Sequence, residues 1–405
     1  MRIVVTGATG FVGRNLVPIL GASGAELLLV GRDRAKVETL FPGQPACTYD
    51  DLAARGAGFD LLVHLAVANN DADLPDEAFR AINVGLLLQV ADSARRAGIR
   101  RFVNVSSFHA LDPRNHGAYA ESKREGAEKL AAVEGIDTVT VYLPAVHGDG
   151  WSGKLAFLNA LPRSAARVLF VPLAALKPTV HVSRLGAFLL DRDADGRDGE
   201  VLLSDGQSGN LFYRLVRRAL DLSFALAVAL LLWWLLGLIW LLVRVQSPGP
   251  GIFAQTRVGR NGAEFTCYKF RTMKTGTAQA ATNEVPMEAV TRVGRFLRRT
   301  KLDELPQIWN ILRNEVSLVG PRPCLPVQTR LVEARRRRGV LSLKPGITGL
   351  AQVNGIDMSD PEWLARWDAR YLALQSLALD ARILLATAKG RGQGDRVADG
   401  NSGEN

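Results

Sequence analysis

One stretch dominates what this chain can become: LSFALAVALLLWWLLGLIWLLV, from Leu222 to Val243, holds no charged residue. As a helix it reaches about 33 Å, the hydrocarbon thickness of a bilayer. It sits mid-chain, between two halves that both read as water-soluble. A single crossing would put those halves on opposite sides of a membrane, whereas a segment that enters and returns keeps them together. Arg214, Arg217 and Arg218 precede the run and Arg244 follows it. Cations at both ends suit an anionic cytoplasmic surface, which favours the returning form. No proline falls between Leu222 and Val243, so the expected breaker is the weak one, Gly237, with Trp233 and Trp234 held at the bend. The net charge of +10 fits nucleic acid or an anionic membrane. The apolar run decides for anionic membrane lipids, and the sequence carries no nucleic-acid module. Cys47, Cys267 and Cys324 form no CxxC pair, which argues against a disulfide framework or a zinc site. The opening MRIVVTGATG enters a strand at once, so no signal peptide is expected.

RIVV reads as a short β-branched strand, and TGATGFVGRNLVPIL as a helix opening on glycines. Gly7, Gly10 and Gly13 leave room where backbone must approach a phosphate, and the helix N-terminus offers free N–H groups to a pyrophosphate. FDLLVHLA and RRFVNVSS are further buried strands alternating with helical stretches, the pattern of a parallel doubly wound sheet. The strand in AELLLVGRDR ends on Gly31-Arg32. A NAD-selective site wants an acid there; an Arg suits a 2′-phosphate and favours NADP(H). Tyr119 and Lys123, four apart, share a helix face. The Lys charge lowers the phenol's pKa and makes it a usable proton donor or acceptor. Ser107, at a strand end, is placed to hold the same substrate oxygen.

These residues resemble the extended short-chain dehydrogenase/reductases, the NAD-dependent epimerase/dehydratase family, over about residues 1–208. The resemblance rests on TGATGFVG, VHLA around His64, INVGLLLQVA around Asn83, and the Ser107, Tyr119 and Lys123 set. It implies Tyr119 as acid/base, Lys123 on the cofactor ribose and Ser107 polarising the substrate oxygen. Gly7, Gly10, Gly13, Arg32, Asp51, His64 and Asn83 make the cofactor side. Phe108-His109 stands where the family's dehydratases carry an Asp-Glu pair, so 4,6-dehydration is not expected. The substrate lobe is short, passing from VLLSDGQSGN straight into LFYRLVRRALD.

Beyond the apolar run, SPGPG is a turn cluster followed by a basic hairpin. In RFLRRTKLDELPQIWNIL, Phe296, Leu297, Leu302, Leu305, Ile308 and Trp309 alternate with basic residues, as in a helix lying in a membrane interface. Asp303 and Glu304 are adjacent acids among cations. A carboxylate can attack phosphorus when a divalent ion and arginines neutralise the phosphates. Mg²⁺ commonly takes one or two carboxylates plus substrate phosphates. Lys269, Arg271, Arg298 and Arg322 are the candidate phosphate clamp. The run Arg335 to Arg338 reads as a solvated basic face that, beside a membrane, holds anionic head groups.

This half is similar to the bacterial sugar transferases, the monotopic phosphoglycosyl transferases, over about residues 211–390. SPGPGIFAQTRVG, YKFRTM, RVGRFLRRTKLDELPQIWNIL, SLVGPRP and KPGITGLAQVNG occur in the family's order. The resemblance implies transfer of a sugar-1-phosphate from a UDP-sugar to undecaprenyl phosphate. It makes Asp303 the nucleophile and Mg²⁺ ligand, Glu304 its assistant, and Arg298 and Arg322 phosphate contacts. The chain departs in holding Trp233-Trp234 where the family's apolar helix has Ser-Pro, and Ile356 where an Arg often follows QVNG. The expected architecture is an α/β Rossmann-like doubly wound domain (1–208), then a linker and re-entrant membrane helix (209–245). A small α+β monotopic membrane transferase domain (246–390) and a disordered tail (391–405) follow, at the cytoplasmic face of a bacterial inner membrane. The expected activity is NADPH reduction of a UDP-4-keto-6-deoxy-N-acetylhexosamine followed by transfer to the lipid. The alternatives for the first half are a 4-epimerase with tightly held NAD, or a non-catalytic assembly module. A homodimer is left open.

Overall fold

The computed structural model describes residues 1–68, 74–191, 199–276 and 289–392; nearly all of the expected tail lies outside them. The chain divides into two compact units at Gly206/Gln207, except that residues 175–177 group with the second.

The first unit is built on seven strands: β1 (Arg2–Thr6), β2 (Glu26–Val30), β3 (Ala46–Cys47), β4 (Leu61–His64), β5 (Arg101–Ser107), β6 (Asp137–Leu143) and β9 (Glu200–Leu202). They pair in the order β3-β2-β1-β4-β5-β6-β9, all parallel. Their near-continuous apolar sequences follow from burial on both faces. Ile3, Val5, Leu27, Leu29 and Val63 pack with Leu16 and Leu20 of the helix Phe11–Ala22. The alternate residues Val4, Leu28 and Leu62 pack with Leu87, Val90 and Ala94 of the helix Leu87–Arg96. Strand order reverses between β1 and β4, and in such sheets the crevice beyond the strand C-termini at that point takes the ligand. Two short strands, β7 (Ala145–His147) and β8 (Thr179–His181), pair apart from this sheet.

In the second unit, β10 (Ile252–Val258) and β11 (Glu264–Phe270) form an antiparallel hairpin. Its turn uses Asn261 and Gly262 at φ of 58° and 80°. β12 (Ser317–Val319) and β13 (Gly346–Thr348) pair in parallel, which sets SLVGPRP beside KPGITG. The apolar run forms two helices, Leu211–Leu231 and Trp233–Gln246, bent by 70°. No single described helix is long and apolar enough to cross a membrane, whereas the bent pair together meets that length and composition.

The bend corrects one expectation. It lies at Leu232 (φ −115°, ψ 14°), while Gly237 remains inside the second helix. The penalty for a helical glycine is only ~1 kcal/mol, too little to force a break. The Trp234 indole N–H donates to the Leu231 carbonyl at 3.1 Å, supplying a partner that the interrupted helix no longer provides. Leu230, Leu231 and Trp233 are about 70% exposed around this corner. The first helix is fastened at its polar end. Asp221 accepts from Ser317 Oγ (3.1 Å) and Leu318 N (2.8 Å). Arg218 donates to the Ile311 carbonyl (2.7 Å), and Tyr213 to Asp380 (2.8 Å).

Candidate active sites

In the first unit, Gly7 sits at φ +69°, and a Cβ there would come 2.5 Å from the Ala66 nitrogen. A Cβ on Gly13 would come 2.5 Å from the Ala8 backbone. Only glycine lets the turn close against β4 and the helix close against the turn. Gly10 caps the helix Phe11–Ala22 without a side-chain hydrogen bond. The first helical amides are thus left to an external anion, which fits a dinucleotide pyrophosphate.

His64, at the end of β4, is buried and shares a 2.9 Å hydrogen bond between its Nδ1 and Thr6 Oγ1. Burial and the nearby Lys123 push its imidazole down to about 3, so it is neutral. Asn83 lies in a π-helical turn, Ala81–Leu86. Its Oδ1 accepts from Ala68 N (3.1 Å) and its Nδ2 donates to Ser122 Oγ (3.0 Å), tying the loop after β4 to the helix Ala118–Ala131. That helix carries Tyr119 and Lys123 one turn apart. Lys123 Nζ reaches the Val105 carbonyl (3.4 Å), and burial pushes its ammonium down to about 7. Ser107, ending β5, accepts from His109 N at 3.3 Å. The His109 ring in turn stands edge-on to Tyr119, 6.1 Å between centroids. Gly7, His64, Asn83, Ser107, Tyr119 and Lys123 are thus linked around the C-terminal ends of β1, β4 and β5.

Arg32 follows the end of β2, exposed and without an ion pair among the described residues. Its neighbours are engaged: Asp33 caps the next helix by accepting from Lys36 N (3.0 Å), and Arg34 pairs with Glu38 (2.7 Å). Asp51 is exposed beyond β3 and accepts from Thr48 Oγ1 at 2.9 Å. Thr6 and Ser122 were not singled out in the sequence. Their signal was present, a hydroxyl ending the first strand and another beside Lys123.

In the second unit, the amphipathic helix Arg292–Thr300 ends at Lys301, which is left-handed (φ 57°). The chain then turns into a 3₁₀ segment, Leu302–Gln307, bearing Asp303 and Glu304. Glu304 Oε1 lies 2.6 Å from Lys269 Nζ and 3.6 Å from Arg322 Nη1. Burial opposes its ionisation, yet Lys269 and Arg322 hold it below the usual carboxylate range. Asp303 goes the other way. Burial and the Glu304 charge push it up to about 6, against the pull of Lys269, Arg298 and Arg322. Arg298 is oriented by Thr272 Oγ1 (2.9 Å). The chain thus brings together one fixed carboxylate, one unsettled carboxylate and three cations, a setting for a negatively charged ligand.

Two expected roles need correction. Arg271 does not join this group: it is buried and donates to the carbonyls of Ser247 (2.5 Å) and Pro248 (2.9 Å), bracing the SPGPG turn. The run Arg335 to Arg338 is a solvated face only at Arg336 and Arg337. Arg335 is 3% exposed, pairs with Asp368 at 2.8 Å and donates to the Arg322 carbonyl at 2.9 Å. Arg336 pairs with Glu333, and Arg337 and Arg338 with Glu362. Arg335 therefore positions Arg322, a connection the sequence concealed.

A cavity of about 490 Å³ adjoins Arg322, lined by Gly320, Gly349, Gln352, Ile356 and Asp368 among others. Among the described residues no three potential metal-ligating side chains converge. A Mg²⁺ ion on Asp303 fits if phosphates and water complete its shell, as Mg²⁺ commonly arranges.

The family model described as "Bacterial sugar transferase" matches residues 212–392, and that of the "NAD dependent epimerase/dehydratase family" matches residues 3–169. The second unit is 37% identical over 192 residues to the exopolysaccharide production protein PSS of Rhizobium leguminosarum bv. phaseoli, covering 43% of this chain and 93% of that protein. It is 40% identical over 192 residues to the UDP-glucose:undecaprenyl-phosphate glucose-1-phosphate transferase of Xanthomonas campestris pv. campestris, covering 44% of this chain and 39% of that one. This chain thus spans about two fifths of the Xanthomonas protein. The first unit is similar to the Bordetella bronchiseptica enzyme WbmG in complex with NAD, at 20% identity and a TM-score of 0.40, covering 50% of this chain and 72% of that one.

Proposed function

The chain belongs to the bacterial sugar transferase family, with a domain of the NAD dependent epimerase/dehydratase family ahead of it, and on that premise we propose a two-step enzyme of surface-glycan assembly. The second unit moves a sugar-1-phosphate from a UDP-sugar to undecaprenyl phosphate. A carboxylate oxygen of Asp303 attacks the sugar-bearing phosphorus, the bond to the bridging oxygen breaks, and UMP leaves. An oxygen of the lipid phosphate then attacks the same phosphorus, displacing Asp303 and forming the lipid diphosphate sugar. Lys269, Arg298 and Arg322 offset phosphate charge, and a Mg²⁺ ion held by Asp303 would supply further neutralisation. Glu304, locked by Lys269, keeps that cation and Arg322 in place. The observation that carries this reading is Asp303, a half-buried carboxylate facing three cations beside an already paired acid. Asp303→Asn should lower transfer at least about a hundredfold, measured as UMP release with UDP-sugar and polyprenyl phosphate. Near-normal release would remove Asp303 from the chemistry.

The first unit prepares the sugar. Tyr119 exchanges a proton with the substrate oxygen, Ser107 positions that oxygen, and Lys123 holds the cofactor ribose. The cofactor, when bound, supplies or accepts the hydride. Arg32 supports NADP(H), and reduction of a UDP-4-keto-6-deoxy-N-acetylhexosamine is the preferred reaction, with NAD-dependent 4-epimerisation the alternative. Arg32→Asp should shift preference from NADPH toward NADH by about tenfold in kcat/KM, because an acid repels the 2′-phosphate and binds the 2′-hydroxyl. Retained NAD⁺ with no net NADPH consumption would select the epimerase instead. Apolar, exposed faces on the bent helix pair support a re-entrant anchor at the cytoplasmic face of the inner membrane.

A further inference from the structure

Between Asp149 and Asp191 the first unit contains no acidic residue. This stretch folds as a 3₁₀ segment, Gly153–Ala160, and a helix, Arg163–Leu176. It leaves several large apolar residues exposed. On the helix Ala166 is 0% exposed and Phe170 is half-buried against His147 and Trp151, while Val168, Leu169 and Val171 stand outward at 71%, 46% and 41%. On the preceding segment Leu158 is buried and Phe157 is 55% exposed. The segment is held in shape because Asn159 Nδ2 donates to the Trp151 carbonyl (2.8 Å) and Oδ1 accepts from Trp151 N (3.0 Å). Lys154, Arg163 and Arg167 are exposed beside this apolar strip and form no ion pair among the described residues.

We propose that the Phe157–Val171 face of the first unit lies on an anionic lipid surface, as a membrane contact separate from the bent helix pair. An apolar strip flanked by unpaired cations and free of acids complements phosphate head groups over an acyl boundary. A second copy of the chain fits less well, because a self-complementary interface would bring Arg163 and Arg167 near their own counterparts. The contact rests on the reading that the second unit is membrane-anchored: the anchor keeps the face near the surface, so weak adhesion suffices. The consequence is functional, since the first unit would then release its sugar nucleotide within the lipid head-group layer where the second unit works.

The test uses the full chain in phosphatidylcholine nanodiscs, with and without phosphatidylglycerol, carrying spin-labelled lipid. Single cysteines at Val168, at Leu230 on the helix pair and at Asp92 on the helix Leu87–Arg96 carry an environment-sensitive dye. All three native cysteines are buried and do not compete. The expected result is quenching at position 168 at least about twofold above position 92, greater in phosphatidylglycerol discs and reduced by R163E with R167E. Quenching at 230 with none above background at 168 overturns the proposal while the anchor stands. Absence of quenching at 230 as well removes the anchor and the proposal with it. A dye response at 168 that tracks protein concentration in lipid-free detergent assigns the face to a second copy and also overturns it.

Discussion

At the scale of single residues, Asp303 carries a cost that its neighbours offset only in part. Its folded pKa is raised above the unfolded value, to about 6. The folded state therefore holds the proton that the unfolded state releases between about pH 4 and 6, and stability falls as pH rises through that window. A neutral replacement should relieve this. In chelator at pH 7.5, Asp303→Asn should be more stable than the native chain by roughly 1–3 kcal/mol, with the difference vanishing below about pH 4. The comparison of thermal midpoints across pH decides it: a variant less stable at pH 7.5 would mean that Asp303 is not a strained carboxylate. Asp303 and Glu304 stand out as adjacent acids among cations, but that pattern alone reads as salt-bridge partners, and only the resemblance to the sugar transferases gives them a role. Arg335 does not stand out. Four consecutive arginines look like surface, and the Asp368 that buries one of them is 33 residues away. Arg271 escaped for a similar reason, since the carbonyls it braces leave no trace in side-chain pattern.

At the scale of elements, the corner at Leu232 shows a helix broken without proline. The strands and the glycine turn of the first unit could be read directly, because burial on both sheet faces and a positive φ demand particular residue types. The corner could not, because Leu232 is an ordinary apolar residue and its deviation is held by contacts made afterwards. Ala225 and Val228 of the first arm pack on Ile308 and Ile311. Ile239 and Val243 of the second arm pack on Phe270 and Leu297. The two arms thus bury different stripes against different supports, and the Trp234 indole supplies the hydrogen bond at the joint. Trp234→Phe keeps the ring and removes that donor, which should destabilise the corner by about 1 kcal/mol. Spin labels at Leu220 and Leu241 should then report a broader, longer distance distribution. An unchanged distribution would mean that packing alone sets the bend.

At the scale of the whole molecule, the proposed chemistry draws on NADPH and UDP-sugars, so both units should lie on one side of the membrane. Cysteines introduced at Asp92 and at Arg382 in the last described helix, Leu377–Ala388, should both resist an impermeant thiol reagent applied to intact cells. Labelling of one but not the other would require a true crossing between them. The fastening of the second unit also has a temporal side. Tyr213 lies in the first turn of the first apolar helix, yet its partner Asp380 is 167 residues later, and Tyr371 donates to the same carboxylate at 2.7 Å. During synthesis the apolar helices emerge from the ribosome well before the strand and the C-terminal helix that complete their polar end. Until then Arg217 and Asp221 lack Ser317 and Asp380. A nascent chain, or one that stops short of Leu377, therefore carries its apolar helix pair with the polar end unlatched, and the helix Leu377–Ala388 acts as the clasp that closes it.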